Sequence, residues 1–256
     1  MDINEWEVWY KEILETLGFS REGDEKTADL LDEILDKKGC LTIDEFFDEI
    51  MDKKGYTEKF IVFGAGPSLK KHINFVKENY DLSKYLLVSA DGATTAMLEE
   101  DLVPDIVATD LDGKMSDLLT ANSLGSYFVI HAHGNNEELI DTWTTSFDKV
   151  LGTTQSIPVG HLYNFGGFTD GDRAIFLSVA LDASEIILAG MDFGEIVTKY
   201  SRPNLPDIGG PADEVKRKKV QYAEKVTGGY KFYIKDGANK KYLTAHLIGQ
   251  SKYVYW

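Results

Sequence analysis

Six short apolar runs, separated by stretches of helical character, constrain the fold of this 256-residue chain more than any other feature. The runs are continuously apolar and rich in β-branched residues, which is typical of strands that are buried on both faces of a parallel sheet. They are Phe60–Phe63, Leu86–Ala90, Ile106–Thr109, Tyr127–Ile130, Val150–Thr153 and Glu185–Ala189. Their alternation with helices predicts an α/β fold with a doubly wound, mostly parallel sheet.

Residues 1–58 are predicted to form an acidic, helical extension before the sheet, because apolar residues recur there at helical spacing. The third helix of this extension is expected to begin near Ile43, since Thr42 and Glu45 make a capping-box pattern in front of an apolar run. We find no catalytic cluster in this segment and interpret its acidic runs as solvated helix faces.

The remaining chain is divided into an α/β catalytic domain at residues 59–225 and a small β-rich tail at residues 226–256. The tail is rich in tyrosine and alternates like an antiparallel hairpin, with a turn expected at Asp236 and Gly237. We expect this hairpin to pack on the core.

Charge and composition exclude several classes of function. The formal net charge is -16, and most of the negative charge lies within residues 1–58, so nucleic-acid backbones and anionic membranes would be repelled. The sequence shows neither a long apolar segment nor a secretion signal, which predicts a cytoplasmic protein. The single cysteine, Cys40, excludes an internal disulfide and a thiolate zinc cluster. A homo-oligomer is compatible with the sequence.

Polar or small residues directly follow most of the predicted strands. The segments are Gly64–Ser68, Asp91–Gly92, Asp110–Gly113, His131–Asn136 and Gly190–Gly194. One aspartate after a strand is often only a helix cap, but in an open parallel sheet all these segments share the carboxyl edge, where ligands bind. The pattern therefore predicts an active site at that edge.

Asp110 and Asp112 are two residues apart, so in an extended segment their carboxylates point to the same side and repel each other unless a cation lies between them. A hard divalent ion such as Mg²⁺ satisfies this arrangement, and Asp91, at the end of the neighbouring strand, is the expected third ligand. In the alternative interpretation, Asp110 caps a helix and Asp112 is a turn residue.

The turn at Gly64, Gly66, Pro67 and Ser68 is expected to place free backbone N–H groups against a phosphate of ATP, with the Ser68 hydroxyl beside them. The pattern matches neither the dinucleotide fingerprint, whose third glycine would fall at Leu69, nor a P-loop. A tight strand-to-helix turn without a ligand is the alternative.

His131 and His133 are also two residues apart and are expected to face the same way. Zinc would need a third nitrogen or sulfur ligand that the sequence does not offer, so phosphate contact or proton transfer is favoured, with a structural histidine as the alternative. Further along, Phe168, Thr169 and Asp170 are candidates for binding a flat heterocycle, whereas Asp172 is either a substrate contact or a helix cap.

These motifs carry a resemblance to known families. The segments Ser89–Ala93 and Val103–Gly113 look like the metal-binding pattern of thiamin pyrophosphokinases. Together with Gly64–Leu69, His131–Asn136 and Gly167–Ala174, they more closely resemble the archaeal 6-hydroxymethyl-7,8-dihydropterin diphosphokinase family, over about residues 1–225. Thiamin pyrophosphokinases have an acidic segment where this chain has His131–Asn136, which argues against thiamin as the substrate.

The resemblance implies transfer of diphosphate from ATP to the pterin hydroxymethyl group, with release of AMP and a requirement for Mg²⁺ on Asp91, Asp110 and Asp112. It implies phosphate contact or proton transfer by His131 or His133 and hydrogen bonds to ATP from Asn135 and Asn136. Thr169, Asp170 and Asp192 would contact the pterin. The alternatives are a glycosyltransferase that uses a nucleotide sugar, a thiamin pyrophosphokinase, and a non-catalytic nucleotide-binding regulator.

Overall fold

The computed structural model describes residues 1–202 and 209–228, and the backbone of residues 233–236, 239–242 and 244–247. Within these residues the centre of the fold is a seven-stranded parallel sheet. Its strands are β1 (Lys59–Phe63), β2 (Leu86–Ala90), β3 (Ile106–Thr109), β4 (Tyr127–Ala132), β5 (Val150–Thr154), β6 (Glu185–Ala189) and β11 (Thr244–Leu247). The strand order is β11-β6-β1-β2-β3-β4-β5.

The predicted fold class and the six predicted strands are confirmed. The runs beginning at Leu86, Ile106 and Glu185 match their strands in full, whereas β4 continues to Ala132 and β5 to Thr154. The chain adds β2 to β5 in order on one side of β1 and then returns to place β6 on the other side. The loops after β1 and β6 therefore diverge, which makes the crevice between them a topological switch point.

Helices cover both faces of the sheet. They are α1 (Ile3–Leu17), α2 (Arg21–Lys38), α3 (Ile43–Lys54), α4 (Leu69–Asn79), α5 (Ala93–Leu98), α6 (Met115–Ser123), α7 (Glu137–Trp143), α8 (Asp170–Ala180) and α9 (Glu214–Gly228). One face packs against α1, α3, α8 and α9, and the other packs against α2 and α4 to α7. Burial on both faces explains why the strands read as unbroken apolar runs.

The N-terminal helices belong to these same cores. Trp6, Tyr10 and Phe46 are fully buried on one face of the sheet, and Leu31 is fully buried on the other. The predicted start of α3 at Ile43 and its capping box are confirmed, since Thr42 and Glu45 exchange side-chain and backbone hydrogen bonds. The division of the chain at residues 58 and 225 stays a prediction, but the packing does not separate the first segment from the sheet.

The C-terminal tail contributes two kinds of pairing. Strand β9 (Tyr233–Asp236) pairs antiparallel with β10 (Asn239–Tyr242), on either side of the predicted turn, whose Gly237 lies outside the described residues. Strand β11 instead joins the main sheet parallel to β6, which the sequence interpretation did not anticipate. A second small antiparallel pair joins β7 (Ile196–Val197) to β8 (Gly210–Pro211).

A search of the described helices for a segment long and apolar enough to cross a membrane finds none.

Candidate active site

Three aspartates meet at the carboxyl ends of β2 and β3. Each of Asp91, Asp110 and Asp112 offers a carboxylate oxygen, and these oxygens all lie within 4.8 Å of one another. Asp91 is buried, whereas Asp112 is exposed toward the cleft. The structure thus brings together the three residues that the sequence assigned to a metal site.

Thr109 fixes the backbone and the side chains of this cluster. Its hydroxyl donates a hydrogen bond to Asp91 Oδ1 at 2.5 Å and accepts one from the Leu111 N–H at 2.8 Å. Asp91 and Leu111 both have positive φ, 38° and 68°. Non-glycine residues adopt this region at an energetic cost, and such strain is commonly found at functional sites. The conformation of these two loops thus brings the carboxylates of the cluster together.

Two glycines leave room around the acidic cluster. A Cβ atom at Gly113 would lie 2.6 Å from Asp91 Oδ2, and one at Gly92 would lie 1.7 Å from the backbone oxygen of Tyr200. Neither position accepts a side chain without movement of its neighbours. The two glycines that follow the aspartates are therefore required by close packing.

The carboxylates of the acidic cluster repel one another, and burial limits the water that could screen their charges. Burial first, and then the charges of Asp110 and Asp112, raise the pKa of Asp91 well above its ordinary value. Lost hydration and the charge of Asp110 raise the pKa of Asp112 to about 6. Burial alone would also raise the pKa of Asp110, but the opposing interactions, led by the hydrogen bond with His133, outweigh burial and lower it. A divalent cation would relieve this repulsion.

His133 is held against Asp110. Its Nε2 lies 3.0 Å from Asp110 Oδ2, and its Nδ1 accepts a hydrogen bond from the Asn135 N–H at 3.2 Å. Because Nδ1 accepts a hydrogen bond, the Nε2 proton is the one directed at Asp110, and neither ring nitrogen is free. This geometry favours orientation of Asp110 over removal of a substrate proton.

Asn136 stabilises the same loop through hydrogen bonds and does not line the cleft. Its amide nitrogen donates to the backbone oxygens of Asp110 and His131, each at 2.8 Å, and its Oδ1 accepts from the His133 N–H at 2.9 Å. It is buried, and its amide group is used within the protein. The expected contact of Asn136 with ATP is therefore corrected to a positioning role, whereas Asn135 lies at the cleft surface.

The rings of His131 and His133 lie 6.1 Å apart but border different cavities. His131 is the next-to-last residue of β4 and borders a small cavity of about 20 Å³ behind the cleft, together with Arg173. Its Nδ1 contacts the Thr153 hydroxyl at 3.1 Å, and its buried Nε2 has no partner among the described residues. Burial, and next the charge of Arg173, lower its pKa well below the ordinary value. His133 lies just beyond the end of β4, and of these two histidines only His133 lines the cleft.

The glycine turn after β1 does line the cleft, but its N–H groups are not free. Gly64 and Gly66 donate to the backbone oxygens of Ala189 and Gly190. The N–H and hydroxyl of Ser68 both donate to Asp192 Oδ2, at 3.0 and 2.9 Å. The expected free donors are thus corrected, because the loop after β6 already occupies them. Asp192 satisfies the N-terminal end of α4 while it lines the cleft.

The loop before α8 divides into a structural and an exposed part. Asp172 is fully buried and accepts hydrogen bonds from the N–H groups of Phe168 and Thr169, at 2.7 and 2.6 Å, which makes it a capping-box residue. Its assignment as a substrate contact is therefore corrected. Phe168, Thr169 and Asp170 line the cleft. Burial, followed by the charge of Asp110, raises the pKa of Asp170 to about 8, although Asp170 also pairs with Arg173 at 3.3 Å.

All these elements border one cleft of about 240 Å³. The acidic cluster lies at β2 and β3, in the middle of the sheet. The loops after β1 and β6 form one end of the cleft, and the residues after β4 and β5 form the other. If a ligand had two distinct parts, one at each end of the cleft, the acidic cluster would thus lie between those two parts.

Comparison with known proteins decides the family. Residues 32–198 match the family model described as 6-hydroxymethylpterin diphosphokinase MptE-like. This chain belongs to the MptE-like family. The match includes the acidic cluster, the glycine turn and the loop before α8.

Curated relatives extend the similarity of this MptE-like chain to nearly its whole length. A protein of Methanothermobacter thermautotrophicus is 50% identical over 226 residues, which cover 88% of this chain and 94% of the relative. A protein of Methanocaldococcus jannaschii is 40% identical over 249 residues, or 95% and 100% of the two chains. A protein of Pyrococcus furiosus is 42% identical over 88% and 93%. All three are named 6-hydroxymethyl-7,8-dihydropterin pyrophosphokinase.

Among solved structures, the MAf glycosyltransferase of Magnetospirillum magneticum aligns with a TM-score of 0.46 and 14% identity. The alignment covers 78% of this chain and 35% of that protein.

Some walls of the cleft in this MptE-like protein come from outside residues 32–198, and sequence reasoning missed them. Asp24 of α2 is buried and accepts hydrogen bonds from Tyr10 Oη, Gln155 Nε2 and the Gly134 N–H, at 2.6 to 2.7 Å. A signal was present, because Asp24 lies in helical register with the apolar residues Ala28 and Leu31 and thus on the buried face. Helix α9 supplies Lys216 and Lys219 to the lining as well.

Proposed function

We propose that this protein transfers diphosphate from ATP to the hydroxymethyl group of 6-hydroxymethyl-7,8-dihydropterin in a Mg²⁺-dependent reaction that releases AMP. The names of relatives with up to 50% identity support the activity. The observation that carries the proposal is the convergence of Asp91, Asp110 and Asp112 in a cleft at the carboxyl edge of the sheet.

The donor set of the acidic cluster fits Mg²⁺. Oxygen ligands from one or a few carboxylates, with phosphate oxygens and water completing the shell, are the usual environment of this ion. The raised pKa values of Asp91 and Asp112 indicate that the cluster lacks positive charge. Asp91, Asp110 and Asp112 would hold the ion, which when bound neutralises negative charge on phosphate oxygens.

In the proposed reaction, the hydroxymethyl oxygen of the pterin attacks the β-phosphorus of ATP. A bond forms between these two atoms, the bond from the β-phosphorus to the oxygen bridging it to the α-phosphorus breaks, and AMP leaves with that oxygen. The hydroxyl proton is lost to solvent or to a cleft carboxylate. The contribution of the chain is mainly positioning, with Thr109 fixing Asp91 and His133 fixing Asp110.

Asp170 remains a substrate contact in this proposal. Its side chain is 21% exposed and lies at the cleft surface beside Phe168 and Thr169. In its ionised form, the Asp170 carboxylate can accept hydrogen bonds from adjacent ring N–H and amino groups of a pterin. The influence of Asp110 on the pKa of Asp170 indicates that this contact would lie close to the metal, near the reacting end of the pterin. Contact of ATP with Gly64, Gly66, Pro67, Ser68 and Asn135, and of the pterin with Asp192, stays a prediction.

One assay tests the function directly. The protein is incubated with ATP, MgCl₂ and a panel of pterin and thiamin alcohols, and AMP is measured together with the diphosphorylated product. We expect AMP in equal amount to the pterin diphosphate, and none with thiamin. Release of a nucleoside diphosphate from a nucleotide sugar would support a glycosyltransferase instead. ATP binding without turnover of any hydroxymethyl pterin would support a nucleotide-binding regulator.

A further inference from the structure

Helix α9 forms a basic wall of the cleft that holds the acidic cluster. Lys216 and Lys219 both line this cleft, together with Val220 and Ala223 from the next turn. The whole helix lies outside residues 32–198, so the family model does not describe these lysines.

The two lysines interact with the acidic cluster without pairing with it. Lys216 and Lys219 line the same cleft as Asp91, Asp110 and Asp112, so the opposite charges border a common space. No salt bridge joins either lysine to a carboxylate anywhere in the described residues. The neighbouring Lys218, by contrast, pairs with Glu214 at 3.1 Å. Opposite charges that line one cleft without touching leave space for a ligand that contacts both.

Lys219 is also held in place. Its Nζ lies 5.4 Å from the ring centre of Phe19 and 5.7 Å from that of Phe168, distances at which a cation is attracted to the face of an aromatic ring. Burial, and next the charge of Arg173, lower the pKa of Lys219. A buried cation near another cation is stabilised by an anion beside it.

We propose that Lys216 and Lys219 bind the diphosphate group that is transferred, on the side of that group away from the metal. This inference rests on the proposed function and deepens it, because it assigns the contact with the transferred diphosphate to α9, whereas the N–H groups of Gly64, Gly66 and Ser68 in the glycine turn have partners within the protein.

The charges of the cleft select for this ligand. A simple anion such as a carboxylate would be attracted by the lysines but repelled by Asp91, Asp110 and Asp112. A free divalent cation would be attracted by these aspartates but repelled by the lysines. A metal–diphosphate complex presents a cation to the aspartates and anionic oxygens to the lysines, so it satisfies both walls at once.

The test measures binding, by calorimetry, of three probes to the full chain: Mg·ATP, Mg·inorganic diphosphate, and AMP. The variants are Lys216→Met and Lys219→Met, which keep the aliphatic length of the side chain and remove the charge. Lys218→Met is the matched control, since it removes the same charge from the same helix outside the cleft. Lys219→Arg retains the charge, and melting temperatures verify that each variant is folded.

We expect each cleft variant to bind Mg·ATP and Mg·diphosphate about tenfold or more weakly, because a lost hydrogen bond between charged groups typically has this effect. AMP binding should change little, Lys218→Met should match the wild type, and Lys219→Arg should retain most of the affinity. Unchanged affinity for Mg·diphosphate in both folded methionine variants would overturn the proposal. An equal loss in Lys218→Met, or an equal loss for AMP, would overturn it as well. Should Lys219→Met not fold, the Lys216→Met and Lys219→Arg results decide.

The experiment distinguishes failure of this proposal from failure of the proposed function. If wild type binds Mg·diphosphate through these lysines but releases no AMP with any pterin, the phosphate site stands and the pterin activity fails. If pterin-dependent AMP release occurs and the methionine variants retain full affinity, the activity stands and the role of α9 fails.

Discussion

The acidic cluster should make the stability of the protein depend on pH and on Mg²⁺ together. The relevant perturbation is removal of divalent ions with a chelator, followed by thermal unfolding at pH values from 5 to 8. Asp170 is the most informative group, because its side chain is only 21% exposed and its pKa is raised to about 8, first by burial and then by Asp110. In the unfolded chain an aspartate has a pKa of about 3.9.

Between these two values the folded state retains a proton that the unfolded state has lost. Stability therefore falls as pH rises through this window, with a slope of at most about 1.4 kcal/mol per pH unit for one proton. Between pH 5 and 8 the loss from Asp170 is at most about 4 kcal/mol, and Asp112, with a pKa of about 6, adds to it only in the lower part of the range. A loss of this size lowers the melting temperature of a chain of this length by roughly 10 °C.

Mg²⁺ should reverse this trend, because it binds the charged carboxylates and replaces the proton. We expect the increase in melting temperature on addition of Mg²⁺ to be several degrees larger at pH 8 than at pH 5. The Asp170→Asn variant, which cannot ionise, should lose less stability with rising pH in chelator than the wild type. A Mg²⁺ effect that is equal at both pH values, or larger at pH 5, would refute the electrostatic interpretation of the cluster.

Three further predictions concern single residues. Asp110→Asn should lower the rate of AMP release at least about a hundredfold in a folded protein, since removing part of an electrostatic clamp typically costs several kcal/mol; the exposed Asp101→Asn is the control, and near-normal turnover would remove the metal role. Asp170→Ala should weaken pterin binding about tenfold while largely sparing ATP, and equal calorimetric losses for both ligands would instead place Asp170 in the phosphate site. Asp24→Ala should lower the free energy of unfolding by at least about 2 kcal/mol, because it leaves the buried donors of Tyr10 and Gln155 unpaired; the exposed Asp29→Ala on the same helix should change it little in denaturant titrations.

The sequence allowed the sheet and the metal-site residues to be predicted because both depend on strand pattern and strand ends. Buried parallel strands give continuous apolar runs, and their carboxyl ends share one edge, so Asp91 and Asp110 could be placed together from the sequence alone. The sequence could not show that His131 borders the small cavity while His133 lines the cleft, because the contact of His131 with Thr153 depends on the neighbouring strand. Strand β11 was missed because nothing in the tail distinguishes it from the neighbouring hairpin strands.

Contacts between distant segments were the other part that the sequence could not supply. The turn at Gly64 and Gly66 has the composition of a phosphate-binding loop, but its donors are taken by the loop after β6, a partner more than a hundred residues away in the chain. Local composition gives no indication of such a competitor. For the same reason the sequence could not assign Asp172 to helix capping or to substrate binding. The capping geometry at Thr169 distinguishes these two roles, and a sequence pattern does not show that geometry.

The residues that line the cleft come from segments spread along the chain, from Phe19 to Ala223. Strands β2 and β3 supply the acidic cluster, yet carboxylates alone repel the anionic substrate that they are proposed to act on. Compensation must come from a metal and from basic side chains, and α9 supplies Lys216 and Lys219 after the last strand of the family match. Helix α2 supplies Asp24 from before that match, braced by Gln155 at the end of β5. Residues 32–198 thus supply the concentrated negative charge, whereas the helices at either end add Asp24, Lys216 and Lys219 to the lining of the cleft.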